Sequence, residues 1–188
     1  MNKTPLPACE QLNLTTFNCK NIRTCGPVID KFAKTEDIIL IQEHWLFKCQ
    51  LDLLDEIDEN YSVSGKAVDQ YDPIPPVQIP RGFGGVAIFW KKDLDHLVND
   101  LDHGNHRIKC IELSTEKPTL IVNVYMPCNG EKDNYYSFVE CIEQLQELIH
   151  SFLGTHEKLT TFHFFNTVTR GVFNNPSARL YRRLVPTP

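Results

Sequence analysis

Residues 38–44 read Ile38-Ile39-Leu40-Ile41-Gln42-Glu43-His44. Four consecutive apolar residues, three of them β-branched, describe a short strand buried on both faces, as in a sheet covered by other layers. The run breaks into Gln42 and Glu43, so a buried strand delivers polar side chains to one end of its sheet. The same arrangement recurs along the chain. Residues 11–17 (Gln-Leu-Asn-Leu-Thr-Thr-Phe) alternate, are rich in strand formers, and lead into Asn18. Residues 120–126 form a strand with Ile121, Asn123 and Tyr125 on one face and Leu120, Val122 and Val124 on the other. Residues 159–165 form a further apolar strand that ends at Asn166.

Between these strands lie helical patterns. Val28, Ile29, Phe32 and Ala33 share a face after the Gly26-Pro27 start signal. Residues 47–57 are expected to form a short helix with Leu51, Leu54 and Ile57 inward. The clearest amphipathic helix is carried by Tyr135, Phe138, Val139, Ile142, Leu145, Ile149 and Phe152. Residues 66–84, with four prolines, read as a long surface loop. Residues 86–90 and 108–113 add strands, the latter joined to 120–126 by a turn at 115–118, and residues 178–184 suggest a final helical turn. Helices interleaved with consecutive strands predict a mixed α/β architecture with helices outside sheets.

Bulk properties narrow the function. A chain of 188 residues fits one domain or most of a larger one. A formal net charge of −5 argues against a strongly basic, sequence-independent nucleic-acid binder. It leaves room for an enzyme that meets nucleic acid through a metal ion. The seven cysteines are an odd number without a Cys-x-x-Cys pair, so reduced, mostly buried thiols are expected and not a zinc site or a disulfide framework. No apolar run approaches the roughly 18 residues of a membrane span. The opening residues lead into no apolar signal core, so the expectation is an intracellular protein, cytoplasmic or nuclear.

Asn18, Glu43, Tyr125 and Asn166 thus stand at the ends of expected strands. Singly, each has a plain explanation: a solvated strand end, a structural Tyr ahead of a Pro, a turn Asn. Together they are the parts of a cation and phosphate site, because Mg²⁺ takes a carboxylate, phosphate oxygens and waters.

Four ordered blocks carry a resemblance: Thr16-Phe17-Asn18-Cys19, Leu40-Ile41-Gln42-Glu43-His44, Arg81-Gly82-Phe83-Gly84-Gly85-Val86-Ala87-Ile88, and Asn123-Val124-Tyr125-Met126-Pro127. They resemble successive blocks of the endonuclease/exonuclease/phosphatase superfamily, and their spelling is most similar to its LINE retrotransposon branch. The resemblance implies an α/β fold, a partial four-layer α-β-β-α sandwich of two packed mixed sheets with outer helices and an incomplete second sheet. It spans residues 11–184, with residues 1–10 and 185–188 as tails. It implies Glu43 as the metal ligand for Mg²⁺ or Mn²⁺, Asn18 beside metal and scissile phosphate, Tyr125 with its hydroxyl on that phosphate, and Gln42 behind the metal ligand. DNA is the implied partner and nicking the implied reaction.

The fit departs from the family at informative places. His163-Phe164-Phe165-Asn166-Thr167 lies where the family has Gly-Asp-Phe-Asn-Thr, so Phe164 replaces the aspartate that prepares the attacking water while Asn166 is kept. Cys128 stands where Asn is frequent. The chain also stops at Pro188, ahead of the family's Ser-Asp-His motif, and is expected to be a truncated, partly degenerate copy. Three readings follow: a DNA-nicking metal-dependent phosphodiesterase, here inactive or weak; a non-catalytic remnant that at most binds metal or nucleic acid; and a phosphatase of the same fold. Open sheet edges are expected to favour self-association, and no membrane partner is expected, in keeping with the absence of a long apolar run.

Overall fold

The computed structural model describes residues 12–115, 118–127, 132–154, 160–164 and 169–173, with 132–136 and the last two segments described by backbone alone. The strands are β1 (Leu12–Asn18), β2 (Ile38–Gln42), β3 (Tyr61–Lys66), β4 (Val86–Lys91), β5 (Val98–Asn105), β6 (Ile108–Leu113), β7 (Thr119–Val124), β8 (Thr160–Phe164) and β9 (Thr169–Phe173). Two helices accompany them, α1 (Gly26–Ala33) and α2 (Lys132–Leu153). One sheet runs β3-β4-β2-β1-β9 and the other β5-β6-β7-β8. Each is mixed: β1 and β2 are parallel, as are β7 and β8, while the remaining pairs are antiparallel.

The two-residue period of the strands sorts side chains into three layers of packing. Leu14, Ile38, Leu40, Ile88 and Trp90 of the first sheet meet Ile111, Leu113 and Ile121 of the second. The opposite face of the first sheet, with Ile39, Ile41, Ala87 and Phe89, packs under Ile29 of α1. The outer face of the second, with Ile108, Cys110, Leu120, Val122 and Val124, packs under Cys141, Leu145, Leu148 and Phe152 of α2. The result is the expected four-layer sandwich. All five residues of β2 are buried, the four apolar ones as their run requires and Gln42 with them.

The structure corrects several local expectations. The helix expected over residues 47–57 is a 3-10 helix, Lys48–Leu54, in which only Leu54 is fully buried. The long loop begins after Lys66, which belongs to β3, and ends at Gly85. Three strands lack a sequence signal. β3 is Tyr-Ser-Val-Ser-Gly-Lys, β5 carries Asn-Asp-Leu-Asp-His-Gly with a register shift between Leu101 and Gly104, and β9 has a central Gly. Backbone pairing with β4, β6 and β1 makes them strands, and in β3 and β5 isolated apolar residues (Tyr61 and Val63, Val98 and Leu101) join the hydrophobic clusters. The expected helical turn at 178–184 and residues 116 and 117 of the 115–118 turn lie outside the described residues.

A polar bridge crosses the otherwise apolar space between the sheets. Asn123 of β7 donates from Nδ2 to the carbonyls of Ile41 (2.8 Å) and Ala87 (2.9 Å), a register pair of the opposite sheet. Its Oδ1 accepts from Gln42 Nε2 at 2.5 Å, and the same nitrogen donates to Thr16 Oγ1 at 2.8 Å. Thr16, Gln42 and Asn123 are all buried. A second tie runs at the flank, where Lys66 Nζ of β3 meets Asp102 Oδ1 of β5 at 2.8 Å.

Asn123→Ala deletes the bridge, strands the Gln42 amide and opens a small void. The expected loss of stability is about 2–4 kcal/mol, seen as a lower urea midpoint at unchanged m-value. A midpoint equal to that of the parent chain would refute the bridging role.

Candidate functional site

β1, β2 and β7 all direct their carboxyl ends to the same rim of the sandwich. β1 and β2 do so in parallel register, with Asn18 beside Gln42. β7 is placed by Asn123, whose amide touches Ile41 two residues before Glu43, while Tyr125 lies two residues beyond Asn123. β8 ends at that rim as well, with Phe164 in register beside Asn123. The amino end of β4 completes it, since Gln42 pairs with Val86 and the Glu43 N–H donates to the Gly85 carbonyl at 2.8 Å.

The turn after β2 adopts an unusual backbone. Glu43 and Trp45 have φ of 59° and 60°, left-handed values that L-residues avoid at a cost of order 1–3 kcal/mol each. Hydrogen bonds on both sides hold them there. Trp45 N–H donates to the Gly84 carbonyl at 3.0 Å, and the Glu43 and His44 carbonyls accept from Asn21 (2.9 Å) and Ile22 (3.1 Å). Between them His44 turns inward and is fully buried. It is a structural residue and not a polar group beside a cation. Leu46 N–H donates to its Nδ1 at 3.0 Å, so the ring proton sits on Nε2, which faces the Lys66 carbonyl at 3.1 Å. Burial pushes the His44 pKa down to about 4, keeping the ring neutral.

Two glycines make room for this turn. A Cβ on Gly85, whose φ is +82°, would lie 2.3 Å from the His44 ring. A Cβ on Gly82 would lie 2.1 Å from the Trp45 carbonyl oxygen. The Gly-rich block is therefore a close-packing device for the turn that carries Glu43.

The turn aims the Glu43 carboxylate at the rim and holds both of its oxygens. Asn18 Nδ2 donates to Oε1 at 2.6 Å and Trp45 Nε1 donates to Oε2 at 3.2 Å. That orientation leaves Asn18 Oδ1 buried with no hydrogen-bond partner among the described residues, and Gln42 Oε1 is in the same position. A carboxylate beside a buried, unsatisfied amide oxygen is a donor set for a hard cation. Among the described residues no group of three His, Cys, Asp or Glu side chains is disposed to hold a metal. A cation here would draw its remaining ligands from water and phosphate oxygens, as Mg²⁺ does.

The structure thus brings Asn18 and Glu43 into contact and sets Tyr125 on the rim they share. The Tyr125 ring lies under the Arg107 guanidinium, 5.3 Å from ring centroid to Cζ. Gln42 turns its amide to Thr16 and Asn123, toward the sheet interface. Asn166 lies outside the described residues, and Phe164 is described by backbone alone. Trp45 is absent from the sequence expectations, because only the left-handed turn brings an indole back onto the carboxylate two residues before it. The five cysteines among the described residues are free, and all but Cys49 are buried. No described helix is long and apolar enough to cross a membrane.

No protein-family model matches the chain. Solved structures share its fold. The catalytic domain of Xenopus laevis APE2 superposes with a TM-score of 0.57 at 17% identity, over 83% of this chain and 59% of that one. The Neisseria 3′ phosphatase NExo, bound to a product DNA hairpin, gives 0.55 at 17% identity over 82% and 58%. An endonuclease/exonuclease/phosphatase family protein of Bacteroides thetaiotaomicron gives 0.55 at 19% identity over 84% and 64%. The chain therefore shares the fold of these three proteins, one of them named for the endonuclease/exonuclease/phosphatase family, and spans about three fifths of their length.

A curated protein of Wickerhamomyces ciferrii, named glyceraldehyde-3-phosphate dehydrogenase, is 27% identical over 135 residues, 66% of this chain and 40% of that protein. The architecture gives that name no support here. Residues 82–87 have the spacing Gly-x-Gly-x-x-Ala, but they open strand β4 and not a helix. A dinucleotide-binding turn needs the helix amino terminus for the pyrophosphate.

His44 sets a pH dependence. Its folded pKa of about 4 lies below the ordinary value of 6.5, so the unfolded chain binds the extra proton first. The stability this contributes is complete above pH 6.5 and is lost as pH falls toward 4, by roughly 3 kcal/mol in all. Urea titrations across that range should show the slope in the parent chain and a flatter one in His44→Gln; parallel slopes would contradict the buried neutral ring.

Proposed function

We propose that this chain is a phosphoester-hydrolase domain of the endonuclease/exonuclease/phosphatase kind, descended from the DNA-nicking endonuclease of a LINE-type retroelement. In this reading it keeps the cation- and phosphate-binding half of the site and has lost the group that prepares water. The observation that carries the reading is the Glu43 carboxylate clamped by Asn18 at the rim shared by β1, β2 and β7.

Glu43 and Asn18 Oδ1 are the atoms that would hold Mg²⁺ or Mn²⁺, in keeping with the buried, unsatisfied amide oxygen. The bound ion would supply Lewis-acid charge to phosphoryl oxygens. The chain's own residues do the rest. Asn18 and Trp45 hold the carboxylate in one orientation, so no reorganisation is needed when phosphate arrives. Tyr125 presents a hydroxyl donor to the phosphate, and Asn166 supplies a further polar group by the family pattern. Phe164 has no proton acceptor, and a positioned general base is worth about 10²–10⁴ in rate, or roughly 3–5 kcal/mol of barrier. Metal and phosphodiester binding with slow turnover is the expected behaviour.

DNA in the nucleus or cytoplasm is the proposed partner. β8 is an edge of the four-stranded sheet among the described residues, and strand pairing there is the proposed route for two copies to associate. The phosphatase alternative shares the same cation site and is separated from nicking by substrate: a phosphate monoester against supercoiled plasmid.

With Mg²⁺ or Mn²⁺, the parent chain should nick plasmid only at trace rate, Phe164→Asp should raise the rate by about 10²-fold or more, and Glu43→Ala should abolish it. Mn²⁺ binding by calorimetry should be present in the first two and lost in Glu43→Ala. Efficient nicking by the parent chain would overturn the loss of water activation. Undiminished Mn²⁺ binding by Glu43→Ala would overturn the site.

A further inference from the structure

Arg81 stands at the end of the proline-rich loop with its guanidinium carbon 5.3 Å from the centroid of the Trp45 ring. That same indole donates to Glu43 Oε2. Arg81 is exposed and forms no hydrogen bond or ion pair among the described residues. A planar guanidinium lying on an aromatic face keeps its N–H donors at its edge, the geometry that takes two oxygens of a phosphate at once.

The arm is held in place although its tip is in water. Gly82 follows it and presses so closely on the Trp45 backbone that no side chain fits there. Phe83 packs edge-to-face on Phe47 at 6.2 Å. Gly84 and Gly85 accept the Trp45 and Glu43 N–H groups. At its far end the loop is pinned by Asp69, whose two oxygens accept from Lys48 N–H at 2.7 Å and Ile74 N–H at 2.9 Å. An arginine fixed at its root, placed over an aromatic ring and without an anionic partner among the described residues, is prearranged for an anion from outside.

We propose that Arg81 is a second phosphate-binding element of this rim, taking a phosphate of the same DNA strand whose neighbouring phosphate lies at Glu43. The proposal rests on the Glu43–Asn18 site being a cation and phosphate site. The Trp45 indole separates the two positions, so they suit a ligand that repeats its phosphates along a chain. A duplex does so, with about one per 3.4 Å of axis on each strand; a monoester offers only one. Arg81 thereby supplies local positive charge to a chain whose net charge is −5.

The test is fluorescence anisotropy of a labelled duplex DNA over a salt series, in EDTA and in Mg²⁺. Arg81→Gln should weaken binding several-fold whatever the base sequence, and should lower the slope of log affinity against log salt by about one. Arg81→Lys should keep the slope, because the charge remains, but bind more weakly for want of the fork. If Arg81 merely shields the indole, Arg81→Gln will leave affinity and slope unchanged, and the proposal falls. It falls equally if the parent chain fails to bind duplex at low salt, or if it binds inorganic phosphate through Arg81 but not DNA. Mn²⁺ calorimetry on Glu43→Ala is independent of Arg81, so failure of the cation site and failure of the arm remain distinguishable.

Discussion

The Asn123 amide is the joint on which this molecule turns. Hydrophobic packing holds the two sheets face to face, but it is non-directional and sets no register between them. Asn123 does so by reaching from β7 to two backbone carbonyls of the opposite sheet while accepting from Gln42. Being buried, these bonds are costly to leave unmade, and a sliding of one sheet past the other would break three at once. The rim that carries Asn18, Glu43 and Tyr125 is assembled by that registration.

The turn after β2 converts registration into a site. Its two left-handed residues are strained, and strain persists only where the surroundings over-determine it. Here the surroundings are a neutral buried histidine, two glycines that admit its ring and a neighbouring carbonyl, and backbone bonds to loops on either side. The outcome is a carboxylate held by an amide and an indole, beside an amide oxygen with no partner among the described residues. Such rigidity suits binding of a cation that orders its ligands strictly. In the proposed reading it is separable from the proton transfer that a general base provides, so Phe164 bears on turnover and not on the cation.

Binding sites for polyanions commonly advertise themselves by a basic surface, and this chain is acidic overall. Placement of charge matters more than its sum at these distances, because solvent-exposed charges are screened beyond about 8–10 Å at ordinary salt. The proposed Arg81 contact accordingly rests on one arginine placed 5.3 Å from the centroid of the ring that bonds the Glu43 carboxylate, and not on the net charge of the chain.

Much of the fold was legible in the chain itself. The unbroken apolar run of β2, the alternation in β1 and β7 and the three-and-four spacing in α2 each prescribe an element, because burial of one face or both is a local property of side-chain order. The same order placed Asn18, Glu43 and Tyr125 at strand ends. β3, β5 and β9 were not legible, since their polar or glycine-containing segments are strands only by virtue of the neighbours that pair with them. Nor was the inward turn of His44, the return of Trp45 onto Glu43 or the stacking of Arg81, all of which depend on a left-handed backbone stabilised by residues some forty positions away. The sequence by itself determined the apolar strands, the long helix α2 and the polar groups that end β1, β2 and β7, through periodicity; only the tertiary structure decided the remaining strands and which of those groups meet, because sheet pairing and packing across the chain leave no trace in local order.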